Sequence, residues 1–164
     1  MRRVMVLVVV AGLAIGVADA AFSWTVFPRT AGSEFVEIRG GNGRAVISRR
    51  GSVLMNLVRG GVIRIVDLPG NGHPNINCNK AGRRVRPTKV EYSGPNLRCR
   101  VSSGQAGAPW QAVIRGRGIF ASGVVRGSLT LDAFQSGSPG QYRIGNGGWH
   151  RWPRNARTYV LRRT

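Results

Sequence analysis

The amino-acid sequence predicts an all-β fold: an antiparallel β-sandwich or small β-barrel with an internal duplication, preceded by a cleaved signal peptide. Three observations lead there. Apolar and polar residues alternate at period two in several segments, as they do in half-buried strands. Glycine, 24 of 164 residues, interrupts nearly every window beyond the N-terminus that would hold a helical period. Each interior Gly costs a helix about 1 kcal/mol relative to Ala. Sequence landmarks also recur at a shift of 75 or 76 residues, the mark of a repeat.

A chain of 164 residues makes one modest domain and excludes a large multidomain enzyme. It carries 25 Lys+Arg against 6 Asp+Glu, a net charge of +19. So few carboxylates leave little material for a metal cage or an acid–base pair.

The first element is an address. Arg2 and Arg3 precede an apolar run over residues 4–18, and Ala18-Asp19-Ala20 supplies the small-x-small end of a secretory signal peptide cut after Ala20. The run holds fifteen residues, two of them Gly. A membrane-spanning helix needs about 20, which favours cleavage over an uncleaved anchor. Removing residues 1–20 takes away two arginines and one aspartate. It leaves a secreted domain, 21–164, of 144 residues with a charge of +18.

Within that domain two halves are expected, at roughly 34–90 and 110–163, joined by residues 91–109. Ile38-Arg39-Gly40 corresponds to Ile114-Arg115-Gly116, and Arg50-Gly51-Ser52 to Arg126-Gly127-Ser128, both at 76. Gly70-Asn71-Gly72 corresponds to Gly145-Asn146-Gly147, and Ala81 and Val85 to Ala156 and Val160, at 75. Residues 53–58 and 62–66 are apolar and β-branched, and Gly60-Gly61 between them predicts a hairpin. In Leu97-Arg98-Cys99-Arg100-Val101 the apolar residues take one face and the arginines the other. Leu129, Leu131 and Ala133 alternate with polar residues in the same way, and Trp110, Ala112 and Ile114 do so less cleanly. The three Gly-Asn-Gly runs, at Gly41, Gly70 and Gly145, suit the tight turns of hairpins. None extends into a phosphate-binding loop, and no cofactor is expected.

Export gives the two cysteines a meaning. In an oxidising compartment Cys78 and Cys99 form a disulfide rather than a reactive or metal-binding pair, since there is no Cys-x-x-Cys spacing and no nearby His. The bridge would tie the end of the first half to the connecting segment.

The basic residues are the strongest functional signal. The densest groups are Arg83, Arg84, Arg86 and Lys89; Arg98 and Arg100; Arg151, Arg154 and Arg157; and Arg162 with Arg163. Arg84 and Arg86 are expected on one strand face, as are Arg98 and Arg100. Such stripes attract phosphate, sulfate or carboxylate polymers. Trp149 and Trp152 bracket His150 and Arg151, where flat rings would stack on a sugar or base. The competing reading makes them a core edge. Arginine outnumbers lysine 23 to 2, which suits a genomic bias toward Arg codons but leaves the shortage of acids unexplained. High charge alone would also keep an exported protein soluble.

The expected function is electrostatic, non-catalytic association with anionic polymers of the cell envelope or its surroundings. Partners of this kind are teichoic acid, acidic polysaccharide or nucleic acid, with an anionic membrane surface as a further one. The expected contacts are Arg83, Arg84, Arg86, Lys89, Arg98, Arg100, Arg151 and Arg154. A small secreted hydrolase acting on an acidic glycan, and a structural or scaffold protein of the cell surface, are the alternatives. His73 and His150 sit in turn-rich segments, without a Gly-x-Ser-x-Gly elbow or a His-Glu-x-x-His run. No catalytic residue and no metal ligand is expected.

Overall fold

The computed structural model describes residues 32–162. The expected signal peptide, 1–20, and Arg163 lie outside them. The described chain is all-β: β1 (Glu34–Leu57), β2 (Gly61–Asp67), β3 (Asn75–Cys78), β4 (Arg83–Arg86), β5 (Lys89–Ser93), β6 (Leu97–Ser102), β7 (Trp110–Ala133), β8 (Gln141–Ile144), β9 (His150–Arg151) and β10 (Arg157–Leu161). They form one antiparallel sheet, curled into a half-barrel.

Length explains the curl. β1 and β7 each run for 24 residues. At about 3.3 Å per residue a straight strand of that length would reach roughly 80 Å. A domain of this size has a radius of gyration of about 14 Å, so both strands must bend. Each bends twice, and its partner changes along its length. Residues 43–49 of β1 lie between residues 110–116 and 127–133 of β7; residues 119–125 of β7 lie between residues 34–38 and 51–57 of β1. The two strands are laced through each other.

Glycine makes the second bend possible. Gly51 and Gly127 occupy φ of 136° and 154°. A Cβ on Gly51 would stand 2.1 Å from the Val124 carbonyl oxygen, and one on Gly127 2.0 Å from that of Ser48. Only a residue without a side chain passes there. The first bends are tied together as well, since Gly118 N–H donates to Asn42 Oδ1 at 3.0 Å. The Gly41-Asn42-Gly43 run is therefore a bend inside β1 rather than a hairpin turn, and Gly70-Asn71-Gly72 lies in the loop between β2 and β3. Gly145-Asn146-Gly147 does join two paired strands, β8 and β9.

The shorter strands dock on the laced pair in matching positions. β2 flanks residues 110–116 and β8 flanks residues 36–39; β6 flanks residues 52–57 and β10 flanks residues 127–131. The expected hairpin between residues 53–58 and 62–66 is corrected here. Both segments are strands, but they never pair with each other, because they continue one another along the same edge of β7: residues 51–57 pair with 119–125 and β2 with 110–116. Val58 N–H donates to Gly118 O, and Arg117 N–H to Gly60 O. The shift of 75 also fails beyond the long strands: Val85 lies in β4, paired to β5, whereas Val160 lies in β10, paired to β7.

The alternation expected in the sequence sets the core. Leu97, Cys99 and Val101 are buried while Arg98 and Arg100 are exposed. Leu129, Leu131 and Ala133, and Trp110, Ala112 and Ile114, are buried too, joined by Ile47, Met55, Ile63 and Ile65. Each fully buried aliphatic side chain contributes about 1.5–3 kcal/mol. Cys78 and Cys99 face each other across β3 and β6 and form a disulfide. The loop it closes contains β4 and β5, so the bridge staples the most basic hairpin to the body. Reduction is expected to lower the unfolding free energy by about 3 kcal/mol, measured as urea denaturation with and without reductant. Unchanged stability on confirmed reduction would contradict that role.

Candidate anion-binding surface

The outward residues of four strands line a groove of about 570 Å³. β1 contributes Arg44; β2 contributes Arg64; β5 contributes Lys89 and Glu91; β7 contributes Gln111 and Arg115. Strand parity puts them there. Arg64 points outward because its neighbours Ile63 and Ile65 are buried. Arg44 and Arg115 are direct cross-strand partners, an unfavourable like-charge arrangement. Across Arg44's other edge lies Asp132.

Glu91 is the groove's acid. Arg64 reaches it at 2.6 Å and Arg83 at 3.3 Å. The Arg64 hydrogen bond holds the carboxyl below the usual carboxylate range; burial opposes it, and the weaker Arg83 hydrogen bond adds to the lowering. Glu91 thus neutralises part of two cations and leaves Arg44, Lys89 and Arg115 without a carboxylate in ion-pairing distance among the described residues.

The basic groups expected from sequence are divided by the fold. β4 is fully exposed, so Arg83, Arg84 and Arg86 are all on the surface. A bulge within β4 sets Arg84 opposite Val90 but Arg86 opposite Lys89. Adjacent residues of β5 face opposite ways, so Arg84 and Arg86 do not share a face, contrary to expectation. Arg83 and Arg86 instead join the groove face with Lys89. Arg98 and Arg100 share the outward face of β6 as expected, yet β6 and β4 stand near opposite ends of the strand order. Arg151 on β9 and Arg154 are exposed.

The expected stacking pair is corrected. Trp152 is 2% exposed and its ring packs on Gly41, leaving no Cβ room there. It is a core residue. Trp149 is half-buried, and the protein's own arginines occupy its ring: the guanidinium carbons of Arg39 and Arg143 lie 4.2 and 5.0 Å from its centroid. Both arginines also pair with Glu37.

His73 contacts Asp67 and its side chain is 89% exposed. His150 packs beside Tyr142 at 5.6 Å between ring centroids. Neither histidine hydrogen-bonds to a serine, threonine or cysteine among the described residues.

The groove arginines Arg44, Arg64 and Arg115 were missing from the expected set. They lie outside the dense basic groups of the sequence, 20 and 51 residues apart, and only strand pairing brings them together. The alternation around Arg64 was the one local signal. Comparisons with protein-family models, curated proteins and solved structures found no match to this chain.

Beside His150, the Tyr142 hydroxyl donates to Tyr159 at 2.6 Å. Burial, reinforced by that bond, pushes Tyr142 up from 10.0 to about 12. The folded state holds the neutral phenol, so this stability is intact below pH 10 and is lost as pH rises toward 12. A tyrosinate absorbance titration should show a late phase near 12 that Tyr142→Phe removes. Complete ionisation of all three tyrosines around the ordinary value would contradict it.

Proposed function

We propose that the protein is a secreted, non-catalytic β-protein that associates electrostatically with anionic polymers of the cell envelope or its surroundings. The observation that carries this is the groove face, where Arg44, Arg64, Arg83, Arg86, Lys89 and Arg115 come from five strand segments against one lining carboxylate, Glu91. Like charges placed side by side weaken a sheet, and a polyanion lying along the face relieves that cost. Teichoic acid, acidic polysaccharide and nucleic acid all offer closely spaced anions. An anionic membrane surface offers the same charge. Arg98, Arg100, Arg151 and Arg154 extend the basic surface beyond the groove.

Export through a signal peptide at 1–20 is part of the proposal. The disulfide is compatible with an extracellular setting. A duplicated origin is proposed on the same footing. Two 24-residue strands that begin 76 residues apart, exchange reciprocal pairings and receive flanking strands at matching places support it. β3, β4 and β5 would then be an insertion into the first half.

Retention on polyphosphate or heparin should fall steeply with salt, because bound cations displace condensed counterions. Arg44→Gln and Arg115→Gln are each expected to lower the log–log salt slope by about one. Retention independent of salt, or unchanged in the double variant, would overturn the assignment.

A further inference from the structure

A second hollow lies apart from the groove residues, at the bends of the long strands. Its volume is about 460 Å³, and its lining includes Arg50, Arg100, Arg126, Ser52, Ser102 and Ser103. At its centre Arg50-Gly51-Ser52 of β1 runs antiparallel to β7, with Arg50 opposite Arg126 and Ser52 opposite Val124. Among the described residues neither Arg50 nor Arg126 has an ion-pair partner, and no carboxylate lines the hollow. The site therefore concentrates positive charge in a concavity.

A second observation points the same way. The Ser52 hydroxyl is buried and has no hydrogen-bond partner among the described residues, and Ser52 lines this hollow. A buried polar group left unsatisfied costs about 1–3 kcal/mol, unless a ligand completes it. The Ser103 hydroxyl is already engaged, accepting from Gly51 N–H at 3.0 Å. It holds the loop that walls the site.

We infer that the hollow beside the Arg50–Arg126 cross-strand pair is a discrete binding site for a tetrahedral oxyanion of the phosphate or sulfate ester class. One guanidinium fork satisfies a planar carboxylate. Three arginines from three strands, together with serine hydroxyls, match the four oxygens and double charge of a tetrahedral group better. The hollow is also larger than a bare oxyanion, which leaves room for the alcohol portion of an ester. This site does not depend on the polymer proposal, because it shares no residue with the groove and only Arg100 with the wider basic surface.

The test uses the full chain and inorganic phosphate, inorganic sulfate and acetate as probes. Thermal unfolding is followed at low millimolar anion, with ionic strength matched by chloride. Phosphate or sulfate should raise the wild-type midpoint well above chloride or acetate, and the stronger of the two identifies the ester class. Arg50→Gln/Arg126→Gln should weaken the apparent affinity at least about tenfold while remaining folded, since it removes a like-charge pair. Arg115→Gln should respond as wild type. Equal responses in the wild type and the double variant, or no advantage over chloride, would overturn the site. Should the double variant fail to fold, phosphate titration of the wild type by amide NMR decides. Shifts centred on Ser52, Ser102 and Ser103 support the site, and shifts elsewhere or none overturn it. A chain that ignores polyphosphate yet responds to sulfate through Arg50 and Arg126 would overturn the polymer proposal alone.

Discussion

The rest of the structure depends on one constraint: two 24-residue strands have to fit inside a domain far shorter than either. They fit by bending, and the bends let the middle of each strand lie between two separate stretches of the other. Gly51 and Gly127 sit where a neighbouring carbonyl leaves no space for a Cβ. Every flanking strand takes its place from this lacing. The hydrogen bonds it involves are mostly long-range in sequence, which makes such a fold slow to assemble but cooperative once formed.

The same constraint distributes the charge. Core residues such as Ile47, Met55, Ile114 and Leu131 claim the inner face, so the arginines between them are driven outward in rows. Where strands pair, the rows meet. Arg44 meets Arg115, and Arg50 meets Arg126. A sheet gains nothing from these encounters by itself. Elsewhere the chain matches its arginines carefully: Glu37 receives Arg39 and Arg143, and Glu91 receives Arg64 and Arg83. The contrast between matched and unmatched arginines is what separates structural charge from charge presented to a ligand.

Much of the strand content was legible because strand parity is a local property. The alternation around Cys99, Leu129 and Ile114 placed those residues inside correctly, and the lack of Cys-x-x-Cys spacing led to the right disulfide. Partner choice is not local. Residues 53–58 and 62–66 have the composition of a hairpin, but nothing near them in sequence reveals that both pair in succession with β7 instead of with each other. A bulge at one residue of β4 was enough to turn Arg84 and Arg86 to opposite faces. Trp152 carries no mark that distinguishes a core ring from an exposed one, since its burial depends on the bare backbone of Gly41. The groove is not legible in the sequence for the same reason, because Arg44, Arg64 and Arg115 become neighbours of one another and of Lys89 only across strands.

The central claim is that strand pairing assembles a polyanion-binding face from arginines that are scattered in the sequence. Amide NMR during titration with a short polyphosphate chain tests it most directly. The expected result is a continuous set of shifts along the outward residues of β2, β5 and the first part of β7, including Arg64, Lys89 and Arg115, that disappears at high salt. Shifts confined to β10 around Val160, or no localised shifts at low salt, would contradict it.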